Sequence, residues 1–299
     1  MNNSLNNHSS LIDDLTTFLP ALTPQDGTDA TREGTVTYDA LMLDAVQRQA
    51  LVTIRSLGKH GLRVAALEIA NHEQLPGSVP AFASRWCGQT FLVPSYHEQV
   101  LPYLASLRQI LATTQAQVII PAADGTIALL RQYRQQLEPQ VKIALAREPA
   151  LGIAIDKDQT LALATHLGIA IPRGVDVTSV NDVPAALREV GLPAVVKPSE
   201  SWVWGEEASS RLICALVTTL DEARRAVEQL TQSGGRAIFQ QFLTGRREAV
   251  SFLYARGQVY ARFAQWAKRT MPPLGGSSVL RQSIAVPDDI GMQSERLIR

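Results

Sequence analysis

An alternation between residues 38 and 145 restricts the fold most: short apolar runs separated by amphipathic stretches of helical length. Ala40–Leu43 reads as a buried strand, Gln47–His60 as a helix closed by Gly61, and Leu62–Leu67 as a second strand. Phe91–Pro94 reads as a strand, and Glu98–Thr113 as a helix through Val100, Leu104, Leu107 and Leu111. Val118–Pro121 is a strand of the fully buried type, Thr126–Leu137 a helix and Lys142–Leu145 a strand. Strands that are apolar on both faces must be covered on both faces. Helices of this length between them supply the cover, which predicts a parallel sheet. Ligands of such sheets sit beyond the carboxyl ends of the strands. This part of the chain has no Gly-x-Gly-x-x-Gly, which argues against a dinucleotide oxidoreductase.

The pattern changes after residue 150. Lys157–Leu167 reads as a helix ended by Gly168, and Ile171-Pro172 breaks the run. A strand near Val175, a helix Val183–Val190 and a strand Ala194–Lys197 follow. Then come a strand Arg211–Val217, a helix Asp221–Leu230 and a strand Ala237–Phe242. From Ala249 to Ala264 two strands flank the turn Ala255-Arg256-Gly257-Gln258, a hairpin signal. This half is α+β with antiparallel elements. Residues 1–35 are polar and lack sustained periodicity, so they read as a flexible arm with one short helix at Leu11–Leu22.

Bulk properties exclude some partners. Formal net charge is zero, so no net field holds nucleic acid or an anionic membrane. No apolar run reaches the roughly 18 residues of a membrane span, and Met1–Ser10 has no basic stretch followed by an apolar core. Cys87 and Cys214 are the only cysteines and have no metal-ligand spacing. A cytoplasmic setting without disulfides is expected.

Two lysines carry the first chemical signal. Lys157 opens a helix in Ile155-Asp156-Lys157-Asp158, and Lys197 closes the apolar strand Ala194-Val195-Val196-Lys197-Pro198. A lysine at the end of a buried strand keeps its stem in the core and its ammonium at the edge, where it can grip a phosphate. Read alone, each is as readily a snorkelling surface lysine. Ser199-Glu200-Ser201-Trp202-Val203-Trp204-Gly205-Glu206-Glu207 follows. It reads either as a mobile loop over phosphates or as a loop capped by packed aromatics.

Gln240-Gln241-Phe242-Leu243 ends a strand and runs into Thr244-Gly245-Arg246-Arg247-Glu248. Extended backbone here can offer a carbonyl and an N–H to an adenine edge, and Glu248 can accept from ribose hydroxyls. An ordinary strand and solvated turn is the competing reading. Lys268-Arg269-Thr270-Met271-Pro272-Pro273-Leu274-Gly275-Gly276-Ser277-Ser278 pairs stiff prolines with glycines that admit close approach. Arg269 and Arg281 flank it with forks suited to carboxylate or phosphate. A plain surface loop is equally open.

In this order and spacing, four segments resemble the ATP-grasp superfamily, specifically its carbamoyl-phosphate-synthase-like carboxylate–amine ligases. They are Asp156-Lys157, Ala194 to Ser199, Gln240 to Gly245 and Pro272 to Ser278. Gln49 to Gly58, Ala83-Ser84-Arg85 and Ile119 to Asp124 resemble the domain that precedes the ATP-grasp fold in that family. The resemblance implies a Rossmann-like pre-ATP-grasp domain over 36–150 and an ATP-grasp domain of two α+β subdomains over 151–299. The lid subdomain would span about 172–242, and the second subdomain would begin at 243–299 with its C-terminal part missing.

By the same resemblance Lys157, Lys197 and Ser199 would meet ATP phosphates. Gln240, Gln241 and Leu243 would line the adenine hinge, and Glu248 would serve the ribose. Arg269 and Arg281 would face phosphate and substrate. The implied chemistry activates a carboxylate as an acyl phosphate for attack by an amine, with charge neutralised by lysine, arginine and Mg²⁺. Its partners are a small carboxylate and an amine, and a homodimer is compatible with it. The sequence departs from the family pattern at Trp266 and Ala267, where arginine is frequent, and at Gln282, where glutamate is frequent. Glu248 aligns only with a one-residue shift. The family's metal-binding acid and Glu-x-Asn are expected after the helix that begins near Asp289, beyond Arg299. The chain therefore reads as a C-terminally truncated ligase without metal ligands of its own, or alternatively as a non-catalytic nucleotide-binding module.

Overall fold

The computed structural model describes residues 36–70, 78–204, 209–232 and 234–299. The arm over 1–35, with the helix expected at Leu11–Leu22, lies outside the described residues, as do Glu206 and Glu207.

The apolar runs of the first half become β1 (Ala40–Met42), β2 (Val64–Ile69), β3 (Cys87–Val93), β4 (Val118–Ile120) and β5 (Lys142–Ile143). They form one parallel sheet in the order β3-β2-β1-β4-β5. Helices α1 (Arg48–Lys59), α2 (Val100–Thr114), α3 (Asp124–Gln132) and α4 (Arg134–Leu137) connect them. Side-chain alternation sorts the core onto the two faces of the sheet. Leu41, Ala65 and Leu67 pack with Tyr103, Leu107 and Leu129. Ala40, Met42, Val64 and Ala66 pack with Ala50 and Ile54. Each fully buried leucine or isoleucine here contributes roughly 1.5–3 kcal/mol through removal of apolar surface from water. The single helix expected over Thr126–Leu137 is divided, because Tyr133 leaves the helical region at φ −102°, ψ 13°.

Helices α5 (Ala150–Ile155) and α6 (Lys157–His166) lead into β6 (Gly174–Val177), α7 (Val183–Val190) and β7 (Ala194–Pro198). A hairpin of β8 (Trp202–Trp204) and β9 (Ser209–Arg211) comes next, then β10 (Ala215–Val217), α8 (Leu220–Gln232) and β11 (Ala237–Gln241). Strands β10-β7-β11-β6 form an antiparallel sheet. Its core is Val177, Val196, Val217 and Phe239 against Val183, Ala186, Val227 and Leu230 of α7 and α8. The strand expected over Arg211–Val217 is thus split between two sheets.

β12 (Glu248–Ala255), β13 (Gln258–Met271) and β14 (Ser277–Ile284) form a third, antiparallel sheet, followed by α9 (Asp288–Ile298). Arg262 and Glu295 join β13 to α9 at 2.9 Å. The hairpin at Ala255–Gln258 is present as expected. The Lys268–Ser278 stretch is not one loop: β13 runs through Arg269 to Met271, and β14 begins at Ser277. Cross-strand pairing, invisible in the polar sequence of β14, creates these strand ends. Gly276 makes the turn between them at φ +63°, where a Cβ would collide with the Met271 carbonyl.

Candidate functional site

The carboxyl ends of the parallel strands are the first place to seek a ligand. The switch point lies between β1 and β4, where the strand order reverses. The protein's own Asp44 fills it. Asp44 sits at φ +58° and accepts from the Ala122 amide at 2.8 Å and the Thr126 hydroxyl at 2.6 Å. Burial pushes its carboxyl above the usual carboxylate range, against the pull of those hydrogen bonds. Neighbouring Glu68 is also raised by burial, and it accepts from the amides of Val46 and Ile69.

The chemistry expected of the second half gathers elsewhere. Lys157 begins α6, and Asp156 before it caps the helix by accepting from the amides of Asp158 and Gln159 at 2.8 and 3.1 Å. The Lys157 amide donates to the Ser199 carbonyl at 2.9 Å. Its ammonium donates to the Ser201 hydroxyl at 3.2 Å and reaches the Ser199 carbonyl at 3.4 Å. The Ser199 hydroxyl donates to Asp158 at 2.6 Å, and Arg236 bridges Asp156 and Asp158 at 3.3 and 3.4 Å. One network therefore pins the start of α6 to the exit of β7.

Lys197 stands on β7 opposite Ile238 of β11. Val196 and Phe239 point into the helix-covered core, so Lys197 and Gln240 share the other face. Lys197 Nζ donates to Gln240 Oε1 at 2.5 Å. Burial lowers the lysine's pKa, and the charges of Lys157 and Arg247 lower it further, while Cys214 acts the other way.

Gln241 extends from the same strand end, donating from its amide to Arg173 O at 2.8 Å, and Leu243 follows with 59% exposure. Glu248 pairs with Arg246 at 2.7 Å. Arg269 and Arg281 lie on the adjacent strands β13 and β14, and Arg281 reaches Gln265 at 3.4 Å. Trp266 is flanked by Arg246 at 4.2 Å and Lys268 at 5.0 Å. Lys157 thus meets Ser199, and Lys197 meets Gln240. Among the described residues no hydrogen bond or ion pair joins Arg269 or Arg281 to them.

Sequence reading quoted Asp156, Arg247 and Trp202 within their segments but not the contacts they make. Asp156 acts as helix cap and Arg236 anchor, and an acid directly before a helix is a capping signal. Arg247 bears on Lys197 from an adjoining loop, which only the fold reveals. Trp202 packs across to the first half, 5.3 Å from His97 and 6.1 Å from Tyr96, and Gly125 leaves room for its ring. Among the described residues, no three His, Cys, Asp or Glu side chains cluster so as to hold a metal ion. No described helix is long and apolar enough to cross a membrane.

The parallel sheet followed by antiparallel α+β layers is a fold shared with several solved structures. L-amino acid ligase from Bacillus licheniformis shares it at 15% identity and TM-score 0.60, over 88% of this chain and 60% of that one. The ADP complex of purK, an N5-carboxyaminoimidazole ribonucleotide synthetase, shares it at 12% identity and TM-score 0.58, over 88% and 63%. Biotin carboxylase from Campylobacter jejuni, as its β-γ-ATP complex, shares it at 10% identity and TM-score 0.63, over 87% and 59%. The chain spans about three fifths of the length of these structures. No family model and no curated protein matches the sequence, so the likeness is one of fold.

Proposed function

We propose that this protein binds ATP and forms the nucleotide-holding portion of an ATP-dependent ligase that joins a carboxylate to an amine. The observation that carries the reading is that Lys157 bonds the exit of β7 at Ser199 and Ser201 while Lys197 stands on that strand two residues before Ser199. Two ammonium groups supply donors suited to a polyphosphate. In this reading the sheet and its helices over about 172–242 are the lid, and the β8–β9 hairpin closes over the phosphates. Gln240, Gln241 and Leu243 hold the adenine edge, and Glu248 receives the ribose once it leaves Arg246.

Bound ATP would supply the phosphoryl group that activates the carboxylate. The residues' own task is to neutralise and orient. Lys157 and Lys197 offset phosphate charge, and Arg269 and Arg281 present forks from β13 and β14 toward the acid. The described residues offer no set of acids suited to Mg²⁺, so no step is assigned to a metal here. The free thiols Cys87 and Cys214 suit a reducing cytoplasm.

Calorimetry with ATP tests the binding, and ADP release by the longest form of the protein tests the ligation. Release should require acid and amine together. A second reading, a nucleotide-binding module without turnover, draws support from Trp266, whose ring engages Arg246 and Lys268. Tight ATP binding with no acceptor-dependent release would favour that module.

A further inference from the structure

Beside Lys157, and apart from the Lys197–Gln240 pair, lies a cavity of about 280 Å³. It opens between α3 and α5 of the first half and the loop that follows β7. Three charged side chains line it: Asp124 from the start of α3, Glu200 from the loop, and Lys157. Ile127, Ile155 and the Trp202 ring are among its apolar walls. Ligand pockets typically run roughly 300–1,000 Å³ and combine an apolar lining with a few placed charges, so this one suits a small molecule.

The charges are unevenly committed. The Lys157 ammonium already donates to Ser201 and reaches Ser199. Asp124 and Glu200 make no hydrogen bond or ion pair to another described residue. With Asp124 exposed, Glu200 half-buried and one engaged cation, the lining carries a net negative charge. A ligand ammonium supplies it with directed N–H donors, and the isoleucine and tryptophan surfaces cover an aliphatic body. We infer that this cavity binds the amine substrate, a primary ammonium on a short apolar body, with Asp124 and Glu200 holding the nitrogen.

The inference rests on the ligase reading and adds the class and the place of the amine. The position is coherent with that reading, because Lys157 stands between the ammonium site and the phosphates. The Trp202 contacts with Tyr96 and His97 set the wall of the cavity, so the hairpin that covers the nucleotide also bounds the amine.

Calorimetry without nucleotide tests it, using four probes that share one isobutyl group: 3-methylbutylamine, leucine, N-acetyl-leucine and 4-methylpentanoate. The first two separate a plain amine from an amino acid, and binding of either supports the assignment. The acetylated and amine-free probes should bind at least ~10-fold more weakly, the scale of a charge-assisted hydrogen bond. Asp124→Asn and Glu200→Gln should each weaken the amine by a similar factor while ATP affinity, titrated in parallel, stays within ~2-fold, far below the loss of one such bond. Equal binding of N-acetyl-leucine, or amine binding unmoved in both variants, overturns the site. Absence of amine binding with ATP bound normally overturns this inference alone. Absence of both overturns the ligase reading with it. Amine binding without ATP binding keeps the cavity and removes the nucleotide assignment.

Discussion

Lys197 on β7 donates to Gln240 on β11 at 2.5 Å, linking neighbouring strands on the sheet face opposite the one that α7 and α8 cover. Gln240 is 4% exposed, so its amide is a fixed support that aims the ammonium rather than a mobile surface group. Lys197→Met keeps the apolar stem and removes the charge. ATP affinity should then fall ~10–100-fold, the worth of one or two charge-assisted bonds. Gln240→Leu keeps the charge and loses the support, and should cost less than about tenfold. Isothermal titration reads both, and an unchanged Kd in Lys197→Met removes this lysine from the site.

Burial and the nearby cations hold the Lys197 pKa below the ordinary lysine value. The folded protein therefore releases this proton more readily than the unfolded chain does, and the cost of keeping the ammonium is relieved as pH rises through the folded pKa. Anion binding needs the charged form. ATP affinity should decline on the alkaline side at a lower pH than a free lysine would dictate. Lys197→Arg should hold its affinity flat over the same range, because guanidinium stays protonated. Parallel declines in the two proteins would mean that another group titrates.

Gly125 gives Trp202 its seat: a Cβ there would come within 2.9 Å of the indole ring and press on the Tyr96 hydroxyl. Gly125→Ala should cost about 1–3 kcal/mol by overpacking. Trp202→Phe in the same background should recover part of that loss, because the smaller ring withdraws. Denaturant unfolding of the two single variants and the double variant forms a cycle. Strict additivity would show that the hairpin does not rest on α3.

Asp44 is raised above the usual carboxylate range chiefly by burial. A raised pKa means that the folded state binds the proton more tightly than the unfolded chain does. The stability it contributes is present below the unfolded pKa and is lost as pH rises through the folded value. Asp44→Asn retains an oxygen to accept from Ala122 and Thr126 and does not ionise, and asparagine tolerates positive φ. Chemical denaturation should show a smaller loss of stability between acid and neutral pH in the variant than in the parent. Equal losses would place the titration elsewhere, with Glu68 the next group to replace.

Much of the fold was legible in the sequence because its signals are local. Ala40–Leu43 and Val118–Pro121 are apolar on both faces, and only a covered strand accommodates that. Val183–Val190 carries a helical stripe that α7 lays on the sheet. Lys197 was legible as a candidate for the same reason: a charge at the end of an apolar strand must emerge at the sheet's edge. Where pairing partners decide, the reading weakened. Ser277–Ile284 has no strand pattern of its own and becomes β14 only against β13, which carries Arg269 out of the expected loop and into a strand.

What the sequence determined by itself is the kind of layer each segment can enter, since periodicity and end signals act within a few residues. What only the tertiary structure decided is which charges meet. Lys157 and Ser201 are 44 positions apart, Lys197 and Gln240 43, and their hydrogen bonds depend on strand register and on the way α6 abuts β7. Nor does the spacing along the chain bring Asp124, Glu200 and Lys157 around one cavity. That follows from packing the hairpin onto α3, where Gly125 lacks the carbon that would keep Trp202 away.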